Sequence, residues 1–319
     1  MLKRRTAMRF VFLLAAMGFA AALTGQALLA DDIYVNNAVG DDTFNGRSAS
    51  DATEQGGPLR TINRALRLAQ PGDRIIVEKT DLPYRESLSI QGGQHSGTDV
   101  MPFTIFSDGA VLDGTSPIDG SSWQYVGNGV FRFQPLLRSF QQLYLDGKPA
   151  ELVPAVVPYT VPELQPKQWA LVDGAIYFKA EDGKIPGQYQ LRYCRYQTGI
   201  TLYEVRNVVI NGLTVQGFQL DGINAHDGVT GLVVKNCRLR GNGRSGFSVG
   251  GASRAQLINS VLGGNGNAQV RTEGHALLRI NDCRFLTSRY SGPAISQSGG
   301  RVSVDDGQPS KAATLSAGE

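Results

Sequence analysis

A repeat of about 23 residues runs through residues 206–304 and constrains the fold of this chain more than any other feature. Gly212, Asn236, Asn259 and Asp282 occupy the same position of the repeat, with separations of 24, 23 and 23 residues. On either side of this position apolar and polar residues alternate, which is the period of a β-strand. A unit this short cannot bury its apolar side chains alone, so successive units must stack.

The repeat also predicts which side chains fill the interior. Each strand is expected to pair in parallel with its equivalent one turn on, about 4.8 Å away. Three apolar columns follow from the alignment: Val208, Leu232, Ala255 and Leu278; Ile210, Val234, Leu257 and Ile280; Val215, Leu239, Leu262 and Phe285. The prediction is a coil of strands wound around a dry apolar axis.

This stretch resembles the right-handed parallel β-helix family, the fold of pectate lyases and their relatives. The resemblance rests on the columns and on the glycine-rich link GNGRSGFSVGG that begins at Gly241. It implies an all-β fold, a single-stranded right-handed parallel β-helix, and right-handed crossovers are also the general rule. Because one scaffold of this kind carries many different sites, the resemblance specifies the fold rather than the activity.

Residues 1–30 are predicted to be a secretory signal and not part of the fold. Basic residues precede the apolar run Phe10–Leu23, and small residues follow, with candidate cleavage points after Ala27 and Ala30. The run is shorter than the roughly 20 residues that a membrane-spanning helix needs. We therefore expect a secreted or periplasmic protein with no membrane contact after leader cleavage; a retained anchor is the alternative.

Removal of the leader changes the charge of the chain. The whole sequence has 31 basic and 28 acidic residues. The leader holds four basic and no acidic residues, which leaves 27 and 28 and a net charge of −1. A nearly neutral chain gives no electrostatic reason to expect a nucleic-acid partner. The sequence also lacks a Walker loop, a zinc-type Cys/His spacing and a nucleophile elbow.

Residues 31–115 are predicted to form the N-terminal cap and first coils. Apolar residues from Leu59 to Ala69 fall on one helical face, and Pro71 ends that helix. A cap is needed because the end of a stack of coils exposes apolar ladders and unpaired strand edges. The preceding loop DDTFNG is a candidate Ca²⁺ site without regular ligand spacing, with a solvated turn as the alternative; no other metal or cofactor is expected.

Residues 116–196 interrupt the repeat and are predicted to form an inserted antiparallel β lobe. Gly127-Asn128-Gly129 marks a hairpin, and Asp173-Gly174 marks a further turn. As the resemblance implies, several carbohydrate-active β-helix enzymes carry a similar insertion. Its aromatic residues are candidates for stacking on sugar rings, although packing in the lobe's own core is the preferred interpretation: Trp123, Tyr159, Trp169 and Tyr177.

Residues 197–304 contain the regular coils, and residues 305–319 form a polar tail that is predicted to be disordered. No C-terminal cap is evident, so the last coil is a candidate surface for homo-oligomerisation. Cys237 and Cys283 lie in one column two coils apart, which is roughly 9.6 Å. A disulfide requires Cα atoms within about 7 Å. Both thiols are therefore expected to be small core fillers.

The repeat register predicts one candidate catalytic face. His226 aligns with Gly250 and Glu273, and Asp227 aligns with Gly251. This face should gather a set of ionisable side chains: His226, Asp227, Arg271, Glu273 and His275. A groove lined by ionisable side chains, with Gly250 and Gly251 at its base, suits an extended saccharide. Arg271 and His275 are the candidate substrate-binding residues of this groove.

Asp227 and Glu273 are the candidate catalytic carboxyls, with His226 beside them. Their backbones would lie roughly 10 Å apart. Side chains could narrow this to about 6.5–9.5 Å, the separation of an inverting glycosidase pair. One carboxyl would protonate the leaving oxygen and the other would activate water. The alternative is structural, because Asp, His and Gly are ordinary turn residues.

Arg238 and Arg284 form a second candidate substrate-binding set in one outward column. Elimination from a uronate requires a cation that neutralises the carboxylate and a base that removes a proton. Pectate-lyase-like enzymes, as the resemblance implies, use Ca²⁺-binding Asp residues with an Arg base. No dense Asp cluster accompanies these arginines, so hydrolysis is placed ahead of elimination.

Two functions from different classes follow from the sequence. The first is a secreted enzyme that cleaves glycosidic bonds of an extended, acidic or neutral, polysaccharide in a groove on the coil face. The second is a non-catalytic β-helix protein that binds glycans or serves in an envelope or matrix assembly. The short length and the absence of an evident cap favour the second, whereas the inserted lobe and the His/Asp/Glu face favour the first.

Overall fold

The structure is a computed structural model that describes residues 30–50, 56–287 and 291–305, and the backbone of residues 313–314. The predicted signal segment, apart from Ala30, and most of the predicted tail lie outside these residues. Among the described residues, no helix is both long and apolar enough to cross a bilayer. The described chain is dominated by stacked parallel strands that form three sheets.

The first sheet runs the full length of the stack. Its strands are all parallel and follow one another from the N-terminal cap to the last coil. Its described strands are Asp32–Val35, Arg74–Val77, Phe103–Ser107, Arg206–Asn211, Thr230–Lys235, Arg254–Ile258, Leu277–Asn281 and Arg301–Asp305.

The second and third sheets complete each coil. The second sheet contains Val111–Asp113, Thr214–Gln216, Arg238–Arg240, Val261–Gly263, Arg284–Thr287 and Ala313–Thr314. The third sheet contains Leu88–Gln91, Ile200–Tyr203, Asp221–Asp227, Ser245–Val249, Ala268–Thr272 and Ile295–Gln297. A regular coil therefore visits the first, second and third sheets in that order before it climbs one level.

The observed register confirms the apolar columns predicted from the repeat. Val208 pairs with Leu232, which pairs with Ala255, and the other columns follow in the same way. The side chains of these columns are buried in one continuous core. The fold class is likewise confirmed: an all-β stack of parallel coils, an N-terminal capping helix and an inserted antiparallel lobe.

The repeated turn position lies between the first and second sheets. Asn236, Asn259 and Asp282 adopt left-handed φ values of 54°, 43° and 52° there, a conformation that Asn and Asp tolerate better than other non-glycine residues. The Asn236 amide donates to Oδ1 of Asn211 at 2.8 Å, and the Asn259 amide donates to Oδ1 of Asn236 at 2.8 Å. An exposed amide ladder therefore links successive turns.

A second amide ladder is buried and was not predicted. Asn242 donates through Nδ2 to Oδ1 of Asn265 at 3.0 Å, and Asn265 donates to Oε1 of Gln269 at 2.8 Å. Oδ1 of Asn242 accepts the backbone N–H of Phe218, and Oδ1 of Asn265 accepts the backbone N–H of Asn242. The buried amides therefore pair with main-chain groups in the links between the second and third sheets. If those buried groups had no partner, the folded state would be less stable.

The capping helix, Ile62–Leu68, closes the first coil. Thr61 caps its N-terminus and accepts a hydrogen bond from the Arg64 N–H. Oδ1 of Asp42, in the Asp-rich loop, accepts the N–H groups of Arg60 and Thr61 at 3.0 and 2.9 Å. This carboxylate of the candidate Ca²⁺ loop therefore holds the start of the helix. Among the described residues, no group of three or more His, Cys, Asp or Glu side chains is arranged to hold a metal ion.

The lobe is inserted between the second-sheet strand Val111–Asp113 and the third-sheet strand Ile200–Tyr203. Two antiparallel sheets build it. One contains Thr115–Pro117, Leu143–Leu145, Lys148–Pro149 and Leu191–Cys194, and the other contains Gln124–Gly127, Val130–Phe133, Trp169–Val172 and Ala175–Lys179. Short 3₁₀ helices lie at Gly93–His95, Gly120–Ser122 and Pro186–Gln188.

The lobe has its own apolar core. Trp169 and Phe178 are fully buried in it, and Trp123 packs against Phe133 and Phe178 with ring centroids 5.6 and 6.1 Å apart. The preferred interpretation of the lobe's aromatic residues as core is confirmed for both tryptophans. Tyr159, by contrast, is 82% exposed.

All three cysteines are free thiols, as predicted. Cys237 and Cys283 are separated in their column by Ser260, whose hydroxyl accepts the Cys237 N–H. Burial raises the pKa of Cys237 to about 12, so this thiol is inert at neutral pH. At the C-terminal end, Ala313–Thr314 pairs with Leu286 and Thr287 in the second sheet. Self-association through this end stays a prediction.

Candidate functional site

The candidate site is built on the third sheet, where three neighbouring strands carry polar residues in register. Asn224 pairs with Ser248, and Ser248 pairs with Arg271. These positions alternate with Phe247, Val249 and their equivalents in the core, so their side chains lie on the outer side of the sheet. The strand register therefore brings distant parts of the sequence onto one outer surface.

Two ion pairs lie at this surface or at its border, since Asp221 occupies a buried position of its strand in line with Ile223 and Ala225. Arg244 binds Asp221 through both Nε and Nη2, at 3.1 and 2.5 Å from the two carboxylate oxygens. The Ser245 hydroxyl donates to the same carboxylate at 2.6 Å. Arg271 binds Glu273 at 2.5 Å. We call Asp221, Arg244, Ser248, Arg271 and Glu273 the polar face.

The two ion pairs interact electrostatically. Hydrogen bonding to Asp221 raises the pKa of Arg244, and the Glu273 carboxylate adds to that increase while burial opposes it. Arg244 therefore interacts mainly with Asp221 and more weakly with Glu273. Asp221 is completely buried, whereas the side chains of Arg271 and Glu273 are 20% and 42% exposed. The two pairs therefore differ in their carboxylates, because that of Asp221 is closed off from solvent and that of Glu273 is accessible, whereas the two arginines are exposed to the same degree.

Two polar atoms of this face are buried without a protein partner among the described residues: Ser248 Oγ and Arg271 Nη1. A buried donor or acceptor that makes no hydrogen bond costs roughly 1–3 kcal/mol. Ser248 and Arg271 are adjacent in register. Because both atoms are closed off from solvent, the exposed parts of Arg271 and Glu273 are what a ligand can reach on this face.

The predicted catalytic residues lie at one end of the polar face. His226 and Asp227 are the last two residues of the strand Asp221–Asp227 and lie next to Gly250 and Gly251, as the repeat predicted. A Cβ atom on Gly251 would lie 2.1 Å from Oδ1 of Asp227, and one on Gly250 would lie 3.3 Å from Oε1 of Glu273. The two glycines therefore make room for the two carboxyl groups, which lie on the order of 10 Å or less apart given 3.8 Å between consecutive Cα atoms.

Asp227 is bound by the main chain of the turn. Its Oδ1 accepts the Ala252 N–H at 3.0 Å and the Gly228 N–H at 2.8 Å. These donors hold the pKa of Asp227 below its ordinary value. An ionised Asp227 fits the role of a base and not that of an acid. Glu273 would have to release Arg271 before it could serve as the proton donor.

An aromatic pair adjoins the same corner. The Tyr203 and His226 rings are 6.1 Å apart and inclined by 33°. Tyr203 is 41% exposed and pairs in register with Asp227. A sugar ring can pack its C–H face against such an exposed aromatic side chain. This adds an apolar contact next to the charged groups of the polar face.

The other predicted residues are His275, Arg238 and Arg284, of which the two arginines lie elsewhere. His275 follows the next corner, where its N–H donates to the Gly251 carbonyl and its side chain is exposed. Arg238 and Arg284 belong to the second sheet and flank Val261, which confirms their column but places them on a different sheet from Glu273. Arg238 lines a separate cavity of about 440 Å³ with Lys79, Asp108 and Asn236 among others.

Asp221, Arg244 and Ser248 were missed in the sequence reasoning. A signal for the first two was present, because Asp221 and Arg244 are separated by one repeat of 23 residues and carry opposite charges. Ser248 lies one repeat after Asn224 and one repeat before Arg271, but its burial had no sequence signature.

Comparison with known proteins identifies the stack. Residues 190–306 match the family model described as right handed beta helix region. The coils form a right-handed parallel β-helix. No curated protein gives a match to this sequence. The family match covers the regular coils and the end of the lobe.

Solved structures support the same β-helix over most of the chain. The structure titled "The complex structure of XylC with xylose" is 14% identical, covers 83% of this chain and 60% of that chain, and has a TM-score of 0.55. A structure titled "Glycoside hydrolase" is 12% identical, covers 81% of this chain and 73% of that chain, and has a TM-score of 0.60. At these identities the likeness establishes the fold, and this chain spans only 60% of the first neighbour's length.

Proposed function

We propose that this protein is a saccharide-recognising β-helix protein that binds an extended glycan across the polar face. The observation that carries the proposal is the Arg271–Glu273 ion pair, whose side chains are 20% and 42% exposed, on the same sheet as Tyr203, which is 41% exposed. Hydroxyl groups both donate and accept hydrogen bonds, so a sugar can pair with a guanidinium and a carboxylate at once. The structural neighbours, one titled as a glycoside hydrolase and one as a complex with xylose, support this ligand class.

Cleavage of glycosidic bonds is the second candidate. It is favoured by the placement of Glu273 and Asp227 beside the neighbouring glycines Gly250 and Gly251, and an inverting pair needs its carboxyl groups about 6.5–9.5 Å apart. In that reaction Asp227 would activate water and Glu273 would protonate the leaving oxygen. Recognition is placed first because Asp227 is bound by main-chain N–H groups and Glu273 by Arg271.

The test is a panel of neutral and acidic polysaccharides measured for binding by calorimetry and for products by reducing ends and by the ultraviolet absorbance of unsaturated uronates. We expect one class of glycan to bind, and Arg271→Gln and Glu273→Gln each to weaken binding about tenfold, a loss of about 1.4 kcal/mol. Arg279→Gln is the matched control, because Arg279 is an exposed arginine on the first sheet.

The outcomes separate the two functions. Binding without product supports recognition alone. Release of reducing ends that disappears in Asp227→Asn and Glu273→Gln supports hydrolysis. If no glycan binds, or if Arg279→Gln weakens binding as much as Arg271→Gln, the polar face is not a saccharide site.

We also propose that the protein works outside the cytoplasm after removal of its leader. The support is the basic and apolar pattern of residues 1–30, which is typical of a secretory signal. Expressed with its full leader in a bacterium, the protein is expected in the periplasm or medium with a mass that corresponds to cleavage after Ala27 or Ala30. Intact-mass spectrometry measures this directly. A full-length chain in the membrane fraction would support the retained anchor.

A further inference from the structure

A second cavity lies where the lobe meets the coils, apart from Arg271 and Glu273. Its volume is about 590 Å³. We call it the lobe cleft, defined by the segment 138–142, Trp169, Asp173, Gly243, Gly266 and Asn267. Clefts between two structural units with apolar walls and a few polar groups are the usual place for small-ligand sites.

The coil wall of the lobe cleft requires glycine. A Cβ atom on Gly243 would lie 1.4 Å from the Phe140 carbonyl oxygen, and one on Gly266 would lie 2.9 Å from Nε2 of Gln142. The lobe segment therefore packs directly on the coil backbone at these two levels. This close approach fixes the position of the segment 138–142 relative to the β-helix.

The segment itself is held in an unfavourable conformation. Phe140 has a left-handed φ of 53°, which costs a bulky residue on the order of 1–2 kcal/mol. Two buried amides hold the residues on either side. Gln219 donates to the Ser139 carbonyl at 2.5 Å, and Gln141 donates to the carbonyls of Leu137 and Cys194 at 2.6 and 3.0 Å. Strain that the surroundings maintain in this way is typical of binding sites.

Each of these amides uses its donor and leaves its acceptor without a partner. Gln141 and Gln219 are both 3% exposed, and Oε1 of each makes no hydrogen bond among the described residues. Gln141 also lines the lobe cleft. A buried unsatisfied acceptor beside a cavity points to a ligand that donates a hydrogen bond there.

The other groups of the lobe cleft define the chemistry of this ligand. Arg138 and Asp173 line the lobe cleft and are exposed, and Asn267 offers both a donor and an acceptor. Phe140 and Leu171 supply apolar surface. One cation and one anion at the same cavity do not select a charged ligand. Paired donors and acceptors with an apolar wall match a ring that has hydroxyl edges and a C–H face.

We propose that the lobe cleft binds a neutral monosaccharide unit. The hydroxyl groups of the sugar form hydrogen bonds with Gln141, Asp173, Arg138 and Asn267, and the sugar ring packs on the Phe140 ring. The inference shares its ligand class with the proposed function but rests on a separate set of residues. The lobe would then contribute a saccharide site of its own and not only a cover for the coils.

Trp169 provides a direct readout. The chain has two tryptophans, so Trp123→Phe leaves Trp169, a wall of the lobe cleft, as the single reporter. This variant is titrated with xylose, glucose, galactose, mannose and glucuronate while its emission is recorded. A neutral sugar is expected to change the emission saturably, and glucuronate is expected to bind more weakly than that sugar.

Phe140→Gly tests the contribution of the Phe140 ring to sugar binding. The backbone conformation is kept, because glycine adopts a left-handed φ readily. We expect it to weaken binding about tenfold. Tyr159→Gly is the matched control, since Tyr159 is an exposed lobe aromatic with a φ of 59°. The proposal is overturned if no neutral sugar changes the emission, if glucuronate binds more tightly than the neutral sugars, or if both glycine variants act alike.

The polar face is tested independently in the same titration. Arg271→Gln should leave the Trp169 response intact, because Arg271 does not line the lobe cleft. Loss of polysaccharide binding in Arg271→Gln with an intact monosaccharide response would support both sites. Loss of the monosaccharide response in Arg271→Gln would overturn the lobe cleft as a separate site. A polysaccharide that binds through Arg271 while no neutral sugar alters Trp169 would leave the proposed function standing and reject the lobe cleft.

Discussion

Gly243→Ala is expected to destabilise the junction between lobe and coils by roughly 3 kcal/mol or more. The added methyl group would lie 1.4 Å from the Phe140 carbonyl oxygen and 2.3 Å from the Gln219 carbonyl oxygen. Both are backbone atoms, so no side-chain rotation relieves the overlap. The segment 138–142 must move away from the coils, and its contacts with Gln219 must be lost.

Both tryptophans lie in the lobe, which lets the two parts of the molecule be followed separately. Urea unfolding of Gly243→Ala should show a lower midpoint by tryptophan fluorescence than by far-ultraviolet circular dichroism, which reports mainly the β-helix. Gly93→Ala is the control, because its added methyl group would meet no atom within 4 Å and its φ is not left-handed. Equal midpoints for the two variants would mean that the lobe does not depend on this contact.

The β-helix core could be predicted residue by residue because two periods act together. Strand alternation specifies which side chains point inward, and the 23-residue repeat specifies which of them lie above one another, as Val208 lies next to Leu232. The same two periods predicted that Asp227 and Glu273 converge. They could not predict that the Asp227 carboxylate accepts main-chain N–H groups, because that depends on the side-chain rotamer at the turn.

Neither the polar face nor the lobe cleft could be predicted from the strand alternation and the repeat, and the physical reasons differ. Asp221 and Arg244 are 23 residues apart and opposite in charge, but they lie where glycine-rich links interrupt the alternation, so the strand period did not specify the direction of their side chains. The lobe cleft depends on where the segment 138–142 docks, and no periodicity relates the lobe to the coils. In the sequence, the contact between this segment and the coils is indicated only by Gly243 and Gly266, which are also one repeat apart.

The two sites have different structural supports, which affects how each would respond to mutation. The polar face lies on parallel strands that are hydrogen-bonded on both sides, so its residues can change without loss of the scaffold. The lobe cleft depends on a strained segment held by two glutamine side chains. Substitutions near the lobe cleft must therefore be judged against a stability measurement, whereas most on the polar face report on binding directly.

Asp221 is the exception on the polar face, and Asp221→Ala is expected to destabilise the protein by about 3–5 kcal/mol. The Asp221 carboxylate is completely buried and accepts hydrogen bonds from both arms of Arg244 and from the Ser245 hydroxyl. Its removal leaves a guanidinium, 21% exposed, without its counter-charge. The measurement is the free energy of unfolding from urea titrations, in a cycle with Arg244→Ala and the double variant.

The double variant should be more stable than the sum of the single losses predicts, with a coupling of about 1–3 kcal/mol, because it leaves no unpaired charge behind. The Asp32–Arg74 pair is the matched control. It has the same two-armed geometry, at 2.6 Å for both contacts, and joins neighbouring strands of the first sheet, but its side chains are 26% and 53% exposed. The corresponding cycle there should give a coupling below about 1 kcal/mol. Equal couplings in the two cycles would show that burial does not distinguish the pairs, and that Asp221 is not a fixed anchor for Arg244 on the polar face.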